Sequence, residues 1–369
     1  MEFGWLPAQR EVHERMRALG AEIATEAPER RLARLAEGGA LGLPLPREHG
    51  GGGLDLVTTA YAYEGLGGAL DDGGTLLAAG AHLFGVACMV SAVGSDEQKR
   101  ALLPRLATGA AIATVAATEA DSGSDVASVG AIAERVGDGF RVTGKKRFVT
   151  LADRADLFFV VARDGAGSRG LTALLVPRDT RGITVHPPLA TSGLATARLA
   201  PVDFDACEIG PEALLGRAGA GLAVFQIAMT FERALVLAFR LGAMERALDD
   251  AVRFARTREI GGTPIGRQQA VAHRIARMKL RLESSRLLVY RAAWLLDQGE
   301  RAQAEAALTK WHLADAALAS ALDAFHVRGG SGFLEESGLP RAIDDALGGS
   351  VHSGTQDVLA TVVARWLGL

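Results

Sequence analysis

Residues 139–150, GFRVTGKKRFVT, open the stretch on which the fold turns, and DLFFVVARD (156–164), LTALLVPRD (171–179) and GITVHPP (182–188) follow it. Each run is short, apolar or alternating, and rich in Val, Phe, Leu and Thr. The separators GDG, DGAGSRG and DTRG are turn signals. Such a pattern predicts a β domain of about seven strands, antiparallel in character, over residues 113–214.

On both sides the periodicity changes to that of helices. In AQREVHERMRALGAEIATEA (8–27), Val12, Met16, Leu19 and Ile23 recur at steps of three and four, the mark of an amphipathic helix. GLPLPREHGGGGLD (42–55) reads as a loop, LVTTAYAYEGLG (56–67) resumes the helical pattern, and Asp96 is a candidate cap for a helix through DEQKRALLPRLATG. Beyond the strands, residues 224–258 read as one long helix broken only at Gly242, followed by helices through 269–299, 302–330 and 355–369. The order helices, strands, helices gives an α+β chain of three domains: 1–112 helical, 113–214 β, 215–369 a four-helix bundle.

Composition narrows the function classes. The 369 residues are 49% hydrophobic and 22% charged, with a net charge of -3. That balance suits a folded protein and argues against a nucleic-acid partner, which usually meets a basic surface. Cys88 and Cys207 lie far apart and match no metal spacing, so they read as plain thiols of a reducing cytoplasm and no metal is expected. The charged N-terminus lacks a signal-peptide core, and no membrane-spanning run is apparent, which predicts a soluble cytoplasmic protein.

Four polar stretches carry the chemistry. ATEADSGSDVAS (117–128) is dense in hydroxyls and turn residues, suited to a cofactor edge or a phosphate. Phe148 and Thr150, two apart on a strand, would face one side. RTREIGGTPIGRQ ends one helix and begins another, with Arg258 placed to complement a helix dipole or clamp a phosphate. HVRGGSGFLEE (326–336) is a Gly-rich helix stop that lets backbone approach a ligand. Neither a GxGxxG after a strand nor a P-loop is present.

The order of TEADSGSD, GKKRFVT, RTREIGGTPIG with its Gln, the GG.GF turn and a late GT resembles the acyl-CoA dehydrogenase family of flavoproteins over essentially the whole chain. The resemblance implies FAD held between the middle domain and the C-terminal helices, with a neighbouring subunit completing the site. It assigns Thr118 and Ser124 to the flavin edge, with Ser124 also near substrate, and Phe148 and Thr150 to the flavin-flanking strand. Arg258 and Gln269 match the pyrophosphate and adenosine contacts, Gly329 and Gly330 the glycine pair, and Thr355 and Gln356 the C-terminal contact. Three positions depart: Gly261 stands where an aromatic is usual, His326 where Gln is usual, and IDDA (343–346), with Asp344, lacks the usual Arg-Asp pair.

The family chemistry requires a carboxylate beside an acyl α-carbon, and in many members it precedes the late GT. Here that residue is Ser353, in SVHSGTQDV (350–358), and an unassisted hydroxyl is no base near neutral pH. Glu232, in MTFERALVLAFRLG (229–242), has Ala228, Met229, Leu235 and Val236 as its helical neighbours. A carboxylate on an apolar face is a candidate base, with a structural ion pair as the plainer alternative. Glu232-Arg233 matches members that carry the base on this helix, which makes Glu232 catalytic and Arg233 a substrate contact.

Within the family the C-terminal half is similar to L-prolyl-[peptidyl carrier protein] dehydrogenases. This implies a substrate on a carrier-protein arm, or alternatively an acyl-CoA as in a catabolic short- or branched-chain enzyme. A non-redox member with a weakened FAD site is a further alternative. The resemblance also implies an electron-transfer flavoprotein or similar acceptor, and a homotetramer built as a dimer of dimers.

Overall fold

A computed structural model describes residues 4–164 and 170–369. The N-terminal part is helical: α1 Pro7–Ala24, α2 Pro28–Glu37, α3 Leu56–Ala69, α4 Gly73–Gly80, α5 Cys88–Val93 and α6 Asp96–Thr108, with a π-helical segment Ala81–Ala87 joining α4 to α5. On α1, Met16 and Ile23 are buried as the periodicity predicts. The cap of α6 is Ser95 and not Asp96: Ser95 Oγ accepts from Gln98 N, and Gln98 Oε1 accepts from Ser95 N. That reciprocal pair satisfies two orphan donors at once, which a residue already inside the helix cannot do.

Seven strands form the middle sheet: β1 Ala113–Ala116, β2 Ile132–Val136, β3 Gly139–Val149, β4 Leu157–Asp164, β5 Leu171–Pro177, β6 Ile183–Val185 and β7 Ala200–Ile209. The pairs β2–β3, β3–β7, β4–β5 and β6–β7 are antiparallel. To that character the structure adds two parallel pairings, β1 and β2 both running along β4. Most of the DGAGSRG turn lies outside the described residues. One face of the sheet buries Phe140, Phe158 and Phe204 in a core of its own.

The C-terminal part holds α7 Gly221–Leu235, α8 Phe239–Thr257, α9 Gln269–Asp297, α10 Gln303–Arg328, α11 Leu339–Gly349 and α12 Gln356–Trp366, with a two-stranded ribbon, β8 Glu259–Ile260 and β9 Thr263–Pro264. The reading of 224–258 as one helix interrupted at Gly242 needs correction. The interruption is at Val236–Ala238, where Ala238 N bonds back to Leu235 O and Arg240 N to Leu237 O, a tightened turn. Gly242 instead permits the crossing with α3: a Cβ there would lie 2.0 Å from Glu64 O, and one at Gly67 would lie 1.8 Å from Phe239 O. Helix α11, which carries IDDA, is an addition to the four expected.

Gly73–Val93 and Gly221–Thr257 are long and apolar enough to span a bilayer, contrary to the sequence reading, and both are mostly buried within the fold. Their apolar surface serves the core, which runs from Leu76 and Phe84 through Leu235 and Phe239 to Leu313.

Candidate active site

Three elements and one loop converge on Glu232. It is buried near the end of α7, and its Oε1 accepts a hydrogen bond from Ser353 Oγ in the loop between α11 and α12. From the opposite side comes the π-helical segment: a Cβ on Gly85 would lie 2.7 Å from Glu232 Oε2 and 3.3 Å from Val115 Cγ2 on β1. The carboxylate therefore occupies the space a side chain at 85 would take. His82 fixes this segment, because its Nδ1 accepts from Ala113 N at 3.0 Å and so its Nε2 donates to Leu106 O, also at 3.0 Å. Such π segments occur preferentially at functional sites.

The Ser353 loop is strained and held from beneath. Ser353 has φ +55 and Gly354 φ +103. For a serine the left-handed region costs about 1 kcal/mol, and it persists where the surroundings over-determine it. Arg233 Nε donates to Ser353 O at 2.9 Å, and the buried Lys310 of α10 donates to Gly354 O at 2.7 Å. Arg233, expected as a substrate contact, is thus engaged with the loop.

Burial dominates the electrostatics. It pushes the Glu232 carboxyl up, against the Ser353 hydrogen bond and the cations of Arg233 and Lys310. Lys310 is lowered to about 7 by burial and by Arg233. Burial, with Lys310 and Arg240 nearby, holds His352 well below the usual imidazole range, so the ring is neutral at pH 7. A carboxylate of raised basicity, with one oxygen held by Ser353 and the other beside Gly85, is equipped to take a proton from carbon.

The residues expected on the cofactor side fall into two groups. TEADSGSD and GKKRFVT are brought together: Arg147 N donates to Thr118 O at 2.8 Å, and the buried Lys146 donates to Glu119 Oε1 at 2.7 Å. This pair of a buried lysine and a half-buried glutamate anchors the loop bearing Thr118 and Ser124. Thr150 lies just past β3, where its carbonyl accepts from Thr114 Oγ1 at 2.6 Å. Strand alternation does not align it with Phe148, because Phe148 has φ +58 and the β3–β7 register shifts between Lys146 and Val149. Phe148 is 51% exposed, with the Arg147 guanidinium 5.1 Å from its ring centroid.

Arg258, Gln269, Gly329 and Gly330 lie exposed at helix ends, and no contact among the described residues joins them to Glu232. The Arg258 guanidinium has no acidic partner among the described residues, and a Cβ on Gly329 or Gly330 would meet nothing within 4 Å. Thr355 caps α12, and Gln356 donates to Asp315. Of the departures, Gly261 faces open space, His326 is exposed, and the neighbour of Asp344, Asp345, accepts from Leu194 N at 2.6 Å, tying α11 to the β domain. An exposed aromatic, free hydroxyls on an anchored loop, an unpaired guanidinium and an open glycine pair fit the dinucleotide FAD.

Three family models match: the N-terminal, middle and C-terminal domains of acyl-CoA dehydrogenase, at residues 7–110, 114–207 and 219–368. An L-prolyl-[peptidyl-carrier protein] dehydrogenase of Pseudomonas fluorescens is 40% identical, covering 96% of this chain and 94% of that one. The crystal structure of the prolyl acyl carrier protein oxidase AnaB superposes with a TM-score of 0.96 at 32% identity, covering 99% of this chain and 100% of that one. An FAD complex of PigA superposes at 0.95 with 32% identity, covering 100% of both chains.

Proposed function

The chain belongs to the acyl-CoA dehydrogenase family, and we propose that it is an FAD-dependent dehydrogenase of a carrier-protein-bound aminoacyl thioester, of the L-prolyl type, in secondary metabolism. Bound FAD supplies the two-electron acceptor for CH–CH oxidation. Thr118, Ser124, Phe148, Thr150, Arg258, Gln269, Gly329, Gly330, Thr355 and Gln356 are the residues assigned to hold it. Glu232 removes the proton α to the thioester carbonyl. The observation that carries this reading is its carboxylate, buried, held through Oε1 by Ser353, and seated against Gly85.

Burial does two things for this base. It excludes water, and it raises basicity toward working pH, where general-base transfer is most effective. The Ser353 hydrogen bond, Arg233 and Lys310 oppose that rise. Arg233 also holds the loop that presents Ser353.

Two competing substrates, acyl-CoA and prolyl-loaded carrier protein, are separated by assaying both side by side for loss of two hydrogens by mass. Glu232→Gln is expected to lower turnover by about 10²–10⁴-fold while retaining flavin, the range of general-base contributions. Near-normal turnover in that variant would refute the base assignment. A protein purified without flavin absorbance, and taking up none, would favour the non-redox alternative.

The reading divides the chain at 112/113 and 214/215, with a soluble cytoplasmic enzyme passing electrons to an electron-transfer flavoprotein. It also includes a homo-oligomer, a dimer of dimers. On α9, Leu280, Leu287 and Trp294 are 68%, 55% and 44% exposed at steps of seven, an apolar stripe that another subunit would cover. Light scattering that returned the 38.5 kDa monomer mass would refute the oligomer.

A further inference from the structure

The His352-Ser353 pair has no assigned role, yet its geometry is specific. Ser353 Oγ donates to Glu232 Oε1, and His352 Nδ1 lies 2.9 Å from the same Oγ. A serine hydroxyl has one proton to give, and a carboxylate only accepts. With that proton spent on Glu232, the contact from His352 must run from Nδ1–H to Oγ. The neutral ring is therefore the Nδ1–H tautomer, and its Nε2 is left as a bare acceptor. Among the described residues, Nε2 is indeed a buried ring nitrogen without a partner.

We propose that Ser353, locked by His352, is a positioning residue for the base: the imidazole fixes the hydroxyl so that its proton goes to Glu232 Oε1, leaving Oε2, beside Gly85, as the oxygen that takes the substrate proton. This rests on Glu232 being the base. Every element packed on the carboxylate agrees with the assignment. Arg233 comes from α7, Lys310 from α10 and Ser353 from the loop, while the π segment places Gly85 beside Oε2. Burial first, and then the neighbouring Lys310 and Arg240, keep the His352 ring from accepting a proton itself. Arg240 is held in turn by Asp345, whose carbonyl accepts from its Nη2 at 2.5 Å.

The sign of the test follows from the hydrogen bond. Burial raises the Glu232 pKa and the Ser353 donor lowers it. Removing the hydroxyl therefore moves the protonation midpoint to higher pH, and the acid limb of turnover moves with it. The direct readout is infrared titration of the holoenzyme, without substrate. The protonated-carboxyl band of Glu232 is identified by its absence in Glu232→Gln. Ser353→Ala is expected to shift the midpoint upward by about one pH unit, within the range a single hydrogen bond to the charged form supplies. His352→Asn, whose side-chain N–H replaces Nδ1–H, should stay near wild type, and His352→Ala should move toward Ser353→Ala. A Ser353→Ala midpoint equal to wild type would overturn the proposal, as would equal behaviour of the Asn and Ala variants at 352. The base assignment fails separately, if Glu232→Gln turns over normally while the infrared shift persists.

Discussion

Replacing Gly85 by Ala inserts one methyl group into the space that Glu232 Oε2 now occupies. The new Cβ would stand 2.7 Å from that oxygen and 3.3 Å from Val115 Cγ2. Ordinary contact begins at 3.4 Å, so the carboxylate must retreat by about 0.7 Å, or Oε1 must rotate away from Ser353. A 1 Å misplacement of a catalytic group costs up to about 10²-fold, so 0.7 Å is expected to lower kcat by roughly 10- to 100-fold. Stability should change little. Ala is favoured over Gly in a helical interior by about 1 kcal/mol, which offsets part of the roughly 1–3 kcal/mol of overpacking. The assay is steady-state turnover of prolyl-loaded carrier protein by Gly85→Ala, alongside flavin absorbance and thermal unfolding. A loss confined to kcat, with flavin and Tm near wild type, fits a displaced base. Wild-type kcat in a folded, flavin-loaded variant would refute the claim that Gly85 exists to seat the carboxylate.

Two further outcomes are expected. Arg258→Ala removes an exposed guanidinium that has no acidic partner among the described residues, so the apoprotein should unfold within about 0.5 kcal/mol of wild type while FAD retention on dialysis falls; equal retention would remove Arg258 from the cofactor site. Ser95→Ala removes the hydroxyl that accepts from Gln98 N, leaving only the backbone-donated half of the α6 capping box, and should destabilise by about 1 kcal/mol in a denaturant titration, whereas Asp96→Ala should cost less; the reverse ranking would restore Asp96 as the cap.

Where sequence and structure part, the causes are physical. Helix and strand blocks were legible because periodicity reports which face is buried, and the motif order carried the family. The break at Val236–Ala238 was not, since Val, Leu and Ala break no helix and the tight turn is imposed by packing. The π segment at Ala81–Ala87 reads as ordinary apolar helix for the same reason. Helix α11 did leave a signal, Pro340 in its first turn after Gly338. Lys310 left one too. Its neighbours at three and four steps are Ala306, Ala307, Leu313 and Ala314, the apolar setting that singled out Glu232, and both side chains prove buried at one site. Glu119 and Lys146 were passed over because their pairing joins a loop to a strand, and no local spacing announces it.

The same geometry explains why position 353 carries no acid. Ser353 Oγ already touches Glu232 Oε1. A carboxyl group at 353 would bring a second set of oxygens within reach of the first, in a buried setting where two like charges cannot both persist. One of the pair would have to hold a proton, and the pair would titrate as a unit with one group raised far above the carboxylate range. A hydroxyl avoids that conflict. It gives the carboxylate a donor instead of a rival charge, and it fits a backbone that Arg233 and Lys310 hold in a left-handed turn. The acid on α7, the serine on the loop and the glycine on the π segment are therefore one mutually dependent choice: an acid at 353 would compete with Glu232, and a side chain at 85 would displace it.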